Sequence, residues 1–289
     1  MSDEIMPPVL PESDPAELDR LLRMVSCGSI DPRDFPDWER VLKKSNRRNI
    51  IRTQMQSWTD CQAQSLCAGE EAREAYVTRL QPTERSDSYT YAACELIDQG
   101  RIGRNHGSTI TSGVELLVEG APRFDLPPGM PTEADWPYRN YKQYTSTHRF
   151  QSAARGLDLK QTHVDEHQPA LPFEQTLVAL AAGATVHIGT YWAPRWVQAP
   201  NGMKEMAEAP KRGGGHATEA LDGIFLNGKW YIYVHNSHGR GNHYVIGERV
   251  WNQLADMRFA PFGGFQIQPD RIEERFTVTA DEAKGKVWV

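Results

Sequence analysis

Hydrophobic residues change their spacing about halfway along the chain. In the first half they recur three and four positions apart, which is the period of an amphipathic helix. This spacing predicts a long helix at residues 60–80, a stretch without proline in which Gly69 is the one glycine. Further helices are predicted at residues 88–99, 112–119 and 173–182.

The second half of the chain alternates hydrophobic and polar residues, which is typical of strands with one face in a core. Asn227-Gly228 stands between two of these runs, and this pair favours the tight turn of a β-hairpin. Helices first and antiparallel strands afterwards indicate an α+β fold, not a doubly wound parallel sheet. The strands are predicted at residues 184–192, 216–225, 229–236 and 243–247.

Composition places the chain among globular proteins and excludes several partners. It has 289 residues, of which 39% are hydrophobic, and a formal net charge of −6, so no basic field would attract nucleic acid. It has no apolar run of the roughly 18 residues that a membrane span needs. The N-terminus is acidic and interrupted by prolines, unlike a secretory signal peptide. We therefore expect a cytoplasmic or virion-associated protein that is not secreted through a classical signal.

The chain is long enough for one sizeable domain. We expect that domain at residues 31–267, with an N-terminal extension at 1–30 and a C-terminal extension at 268–289. Four cysteines, at positions 27, 61, 67 and 94, form neither a Cys-x-x-Cys pair nor a cluster with histidines. Neither a metal nor a cofactor is expected from this pattern.

Three residues could together carry nucleophilic chemistry. Cys61 stands at the start of the predicted long helix, where unpaired backbone N–H groups favour a thiolate. A single cysteine there is otherwise an ordinary buried residue, so a base elsewhere is required. His216 follows three glycines at the start of a strand, and Asn236 ends a later strand where its carbonyl could orient an imidazole.

Five short stretches, taken in order, resemble the papain family of cysteine peptidases. The resemblance spans most of the chain and implies a papain-like two-lobe α+β fold. The helical N-terminal lobe would carry the nucleophile helix, and the C-terminal lobe would be antiparallel β. The five stretches are Gln54-Met-Gln-Ser-Trp-Thr-Asp-Cys61, Asn105-His-Gly107, Pro131-Thr-Glu-Ala-Asp-Trp136, Gly214-Gly-His-Ala217 and Asn236-Ser-His-Gly239.

The resemblance also implies a role for each matching residue. Cys61 would be the nucleophile, and His216 would draw its proton to give a thiolate–imidazolium pair oriented by Asn236. The side-chain amide of Gln54 or Gln56 would hold the oxyanion, and the preserved Gln-x-Gln spacing favours Gln54. The residues expected to line the substrate cleft are Asn105, Gly107 and Gly215.

Several positions depart from the family pattern. Met55 stands six residues before Cys61, where the oxyanion glutamine is expected. Asp60 directly precedes the nucleophile, and its charge would oppose a thiolate unless the side chain turns away to cap the helix. Gln62 and His238 replace two tryptophans of the family, and Trp58 replaces a disulfide cysteine.

The leading hypothesis is a papain-like thiol hydrolase, a cysteine peptidase that cleaves peptide or isopeptide bonds through an acyl-enzyme. Its partner would be a protein or peptide substrate. The alternative is a weak or inactive papain-like module with a binding or structural role and an assembly partner in a larger complex, for example a bacteriophage virion. A thiol amidase acting on bacterial cell-wall peptides, or a transferase forming isopeptide links, would use the same triad.

Overall fold

The structure is a computed structural model of the chain, and its description begins at residue 37 and ends at residue 267. The predicted extensions at 1–30 and 268–289 lie outside the described residues, as does Asn105. Within the described span the gaps are residues 46, 53, 57–58, 79–80, 104–106, 138–146, 156, 158, 160–166, 170–171, 240 and 256–262.

The described residues form eight α-helices. The four helices predicted from the sequence are confirmed, with bounds that differ by one or two residues. The other four are short and carried too few periodic positions to be predicted. The helices are α1 (Trp38–Lys44), α2 (Arg47–Ile50), α3 (Cys61–Thr78), α4 (Asp87–Gln99), α5 (Ile110–Val118), α6 (Thr147–Ala154), α7 (Phe173–Ala181) and α8 (Glu248–Ala255).

Local signals explain where α4 and α5 begin and end. The hydroxyl of Ser86 accepts a hydrogen bond from the backbone N–H of Tyr89, and Thr109 caps α5 in the same way through Ser112. Helix α4 stops at Gly100, whose φ of 68° is the left-handed conformation that ends many helices.

The described strands form one eight-stranded sheet in the order β1-β8-β2-β5-β6-β7-β4-β3. All neighbouring pairs are antiparallel except β4 with β7. The four predicted strands are β2, β5, β6 and β7, whereas the others are too short or too rich in glycine to show alternation. The strands are β1 (His167–Pro169), β2 (Thr185–Trp192), β3 (Trp196–Gln198), β4 (Lys204–Met206), β5 (Gly214–Leu226), β6 (Lys229–His235), β7 (Tyr244–Ile246) and β8 (Gly263–Ile267).

The predicted hairpin joins β5 to β6. Asn227 and Gly228 both have positive φ, at 46° and 80°, as the tight turn between twisted strands requires. Strands β5 and β6 are central in the sheet, and β5 also pairs with β2. His216 therefore lies near the start of a long strand that is hydrogen-bonded on both sides.

Helix α3 is buried between the two halves of the molecule. It contacts α4 and α5 on one side and strands β2 and β5 on the other. Hydrophobic side chains of the helical half form one core, and those of the sheet with α1, α7 and α8 form another. Because partners cover α3 all round, its buried residues show little of a one-sided pattern. The α+β fold with a helical and a β lobe is confirmed.

Candidate active site

Helix α3 delivers Cys61 to the boundary between the two lobes. Cys61 is the first residue of the helix and is partly exposed, whereas the next twelve residues are buried. Its Sγ atom accepts a hydrogen bond from the backbone N–H of Ala217 at 3.5 Å. Since Ala217 follows His216 on β5, this contact places the sulfur beside the histidine's strand.

His216 and Asn236 form a direct hydrogen bond. The Nε2 atom of His216 lies 2.9 Å from Oδ1 of Asn236, and both side chains are buried. Asn236 follows the last residue of β6, and its own Nδ2 donates to the carbonyl of Asn242 at 3.1 Å. Because Asn236 occupies Nε2, the other ring nitrogen, Nδ1, is the one that can act toward the cleft.

Two further rings surround the imidazole of His216. The ring of Trp192 on β2 lies 4.1 Å from it between centroids. The ring of His238 stacks on it at 4.4 Å, with an interplanar angle of 18°. Trp192 was missed by the sequence reasoning because only the pairing of β2 with β5 brings it to His216. The aromatic environment of the histidine is thus supplied by a different tryptophan and by an imidazole.

A cleft of about 550 Å³ opens beside Cys61 and His216. Of the residues predicted to bind substrate, Gly107 and Gly215 line this cleft, and Asn105 lies outside the described residues. Gly107 has a φ of 78°, which other residues rarely adopt. The other lining residues, most of which no motif indicated, are Gln56, Thr59, Asp98, Gln99, Ser108, Thr109, Ile110, Gly189 and Ala217.

The two candidate oxyanion glutamines lie in different places. Gln54 is only 2% exposed, and its Nε2 atom faces the carboxylate of Asp87 at 3.5 Å. Gln56 lines the cleft, and the hydroxyl of Ser237 donates to its Oε1 at 2.6 Å. This hydrogen bond orients the amide and assigns the donor role to Nε2. The sequence spacing favoured Gln54, but in the structure its side chain points inward to Asp87. Gln56 is the one of the two that lines the cleft together with Cys61.

Asp60 faces along the helix that it precedes. Its Oδ2 atom accepts a hydrogen bond from Nε2 of Gln64 at 2.9 Å, and its carbonyl accepts the backbone N–H of the same residue. The carboxylate nevertheless stays close enough to contribute to the high pKa of the Cys61 thiol. The hydrogen bond from Gln64 therefore orients the carboxylate of Asp60, but its negative charge still acts on the Cys61 thiol.

Burial disfavours a charge on both Cys61 and His216. Removal from water raises the pKa of Cys61 above its ordinary value, and Asp60 raises it further. Removal from water also lowers the pKa of His216 to about 4, although the hydrogen bond to Asn236 opposes the shift. These surroundings favour a thiol beside a neutral imidazole, not the thiolate–imidazolium pair that the resemblance implied.

The described residues contain no group of three or more metal-ligating side chains placed to hold an ion. Among the helices of the described span, none has the length and hydrophobicity to cross a membrane. Cys67 and Cys94 are free and buried, and Cys27 lies outside the described residues.

Comparison with known proteins shows the fold. No family model and no curated protein matches the chain in sequence. In structure it is similar to xylellain, a cysteine protease from Xylella fastidiosa, with a TM-score of 0.53, 15% identity, and coverage of 76% of this chain and 83% of xylellain. It is also similar to the bromelain protease from Ananas comosus, with a TM-score of 0.51, 12% identity, and coverage of 79% and 95%. The chain has the papain-like cysteine peptidase fold.

Proposed function

We propose that this protein is a cysteine peptidase in which Cys61, His216 and Asn236 form the catalytic triad. The observation that carries the proposal is the shared cleft. Cys61 comes from the helical lobe and His216 from the sheet, and both line one cavity, while Asn236 holds the far nitrogen of the imidazole. A nucleophile, a base and an orienting group in this order are what acyl transfer requires.

The proposed reaction starts from the neutral pair. Nδ1 of His216 takes the thiol proton of Cys61 as the sulfur attacks the carbonyl carbon of a peptide or isopeptide bond. The imidazolium then gives this proton to the departing amine as the carbon–nitrogen bond breaks. Water, deprotonated by the same imidazole, hydrolyses the thioester and frees the thiol.

Gln56 is the proposed oxyanion donor together with the backbone N–H of Cys61. Its side chain lines the cleft, and Ser237 orients its amide. Hydrogen-bond donors fixed in advance stabilise the negative oxygen because they need not reorganise during the reaction. Gly107 and Gly215 leave room for an extended substrate backbone along the cleft.

Labelling with an epoxysuccinyl thiol inhibitor tests this proposal. We expect a single adduct on Cys61 by peptide mass mapping, and we expect it to be lost in Cys61→Ala and strongly slowed in His216→Ala. Cys94→Ala is the matched control, since Cys94 is buried and its variant should label like the parent. Slow, equal labelling of all the cysteines would contradict the peptidase.

A second candidate function is a weak or inactive papain-like module that binds a partner. The observation that favours it is the carboxylate of Asp60, which Gln64 holds directly before Cys61 and which, together with burial, disfavours a thiolate. The two candidates differ in one measurement. A peptidase releases amine from a peptide library at a rate that Cys61→Ala abolishes, whereas a binding module retains peptides equally well with and without the sulfur.

A further inference from the structure

The stacking of His238 on His216 has a chemical consequence. The two imidazoles lie 4.4 Å apart between centroids and within 18° of parallel, and Trp192 contacts both rings. A tryptophan in the place of His238 would shield His216 equally well but could not take up a proton. The ring of His238, which covers His216, can therefore itself gain and lose a proton.

The groups around His238 are fixed by the fold. Its backbone pairs with Met55, and its carbonyl accepts a hydrogen bond from Nδ2 of Asn242 at 2.8 Å. Lys204 of β4 donates to Oδ1 of the same asparagine at 2.8 Å. Within the described residues, the titratable or charged groups facing the ring are thus His216 from β5 and Lys204 from β4.

Burial and Lys204 disfavour a charge on His238. Burial and the ammonium of Lys204 lower the pKa of His238. A charge on His238 in turn contributes to the low pKa of His216, after the larger effect of burial. Two imidazolium ions at this separation repel each other, and the first proton to bind therefore suppresses the second.

We propose that His238 is a positioning residue that controls the base: a charge on the stacked ring of His238 makes His216 a weaker acceptor of the Cys61 proton. The proposal rests on the role given to His216 under the proposed function. His238 is the less buried of the two rings, and it therefore takes its proton first as the pH falls. Mild acid would then slow proton transfer from Cys61 before His216 itself is protonated.

An NMR titration tests the electrostatic coupling of His216 and His238 and needs no peptidase activity. The imidazole resonances of both histidines are followed by NMR against pH in a Cys61→Ala background. We expect the pKa of His216 to rise by about one unit in His238→Phe, the shift expected for two charges at this distance in a largely aqueous dielectric. The pKa of His238 should stay nearly unchanged in His216→Phe, because His238 takes its proton while His216 is still neutral. A pKa of His216 that is the same in His238→Phe as in the parent would overturn the proposal.

Alkylation of Cys61 by iodoacetamide tests the control of the nucleophile. The rate in the parent chain, divided by the rate in His238→Phe at the same pH, should fall over the pH range in which NMR shows His238 taking its proton. His238→Phe keeps a flat ring, and the ionisation of the Cys61 thiol contributes to both rates and cancels in this ratio. His238→Lys, with a permanent charge, should react about tenfold more slowly at every pH below 8.

The outcomes separate the two proposals. If the chain cleaves no peptide but shows both the shift of the His216 pKa and the pH-dependent alkylation, the peptidase proposal is wrong and the control by His238 stands. If His238→Phe alters stability but leaves the alkylation profile of Cys61 where it was, His238 is only a packing residue and this inference is wrong.

Discussion

Two clusters of similar chemistry lie between helix α3 and the sheet side of the molecule, one at the cleft and one beneath it. The cleft cluster is Cys61, His216 and Asn236. The buried cluster is Ser65, His187 and Glu219, in which Nδ1 of the histidine lies 2.8 Å from Oε2 of the glutamate and the serine hydroxyl donates to the same oxygen at 3.2 Å. Each cluster combines a residue of α3 with a histidine and an orienting group from the sheet.

The difference between them is access. The side chains of His187 and Glu219 are 0% exposed, so no substrate can reach a hydroxyl beside them. The buried cluster instead joins α3 to β2 and β5 and so holds the helix of Cys61 against the strand of His216. A nucleophile, a histidine and an acid are therefore not enough for catalysis, because the group must also open onto a cavity.

The buried cluster also explains the lone glycine of α3. A Cβ atom on Gly69 would lie 2.5 Å from Oε1 of Glu219 and 3.1 Å from Oγ1 of Thr185. The carboxylate of Glu219 thus occupies the space that a side chain in the helix would need. Glycine weakens a helix by about 1 kcal/mol relative to alanine, and here this cost makes room for the buried cluster.

The largest expected effect separates catalysis from folding. In His216→Ala, kcat/KM for a peptide substrate should fall on the order of 10⁴-fold, because acylation loses its base. The free energy of unfolding in urea should fall by about 1–3 kcal/mol, because Asn236 loses its buried partner, and the chain should stay folded. Ser65→Ala should also lose stability but should retain turnover. If Ser65→Ala abolishes turnover in a folded chain, the contrast between the clusters fails.

The next effect concerns the buried cluster. Glu219→Ala leaves the imidazole of His187 and the hydroxyl of Ser65 without their acceptor in the interior. The free energy of unfolding should fall by about 3–5 kcal/mol, as when a buried pair loses one partner. Glu219→Gln, which keeps an acceptor, should lose less. Exposed Glu174→Ala is the control and should stay within about 0.5 kcal/mol of the parent.

A smaller effect should distinguish the two glutamines. Gln56→Ala should lower kcat about 10²–10³-fold, the loss found when one oxyanion donor is removed. Gln54→Ala should leave kcat near the parent value and lower stability by about 1–3 kcal/mol, because Gln54 is buried against Asp87. The opposite pattern in steady-state kinetics would assign the oxyanion role to Gln54.

The smallest effect is on pH dependence. Because Asp60 helps to raise the pKa of Cys61, Asp60→Asn should lower that pKa while its amide oxygen still accepts from Gln64. The rate of alkylation by iodoacetamide, which follows the thiolate, should then rise at a lower pH than in the parent. If the alkylation rate depends on pH in the same way in Asp60→Asn and in the parent, the hydrogen bond from Gln64 already neutralises the effect of the carboxylate.

Motifs with a local physical signal could be found in the chain itself. The long helix, the Asn227-Gly228 hairpin and the change from helices to strands all follow from spacing and turn chemistry. Cys61 could be singled out because a helix start favours a thiolate. The strand β8 was missed because five residues that include two glycines show little alternation. Helix α8 was missed although its eight residues are strongly amphipathic.

Contacts between distant segments could not be found in this way. Ser65, His187 and Glu219 belong to no motif, and the register that places His187 opposite Glu219 exists only once β2 and β5 pair. The Gln-x-Gln spacing favoured Gln54, whereas the contacts with Asp87 and Ser237 turn Gln54 inward and leave Gln56 at the cleft. The position of His238 over His216 likewise depends on the turn after β6.

The order of the longer helices and of the central strands, the α+β class and the residues with catalytic potential could be read from the chain, because helix periodicity, hairpin turns and side-chain chemistry are local properties. Which of these residues meet and which are buried became visible only in the folded molecule. Burial, strand register and the state of the Cys61–His216 pair depend on segments far apart in the chain, and the free energy of a charge depends on everything packed around it.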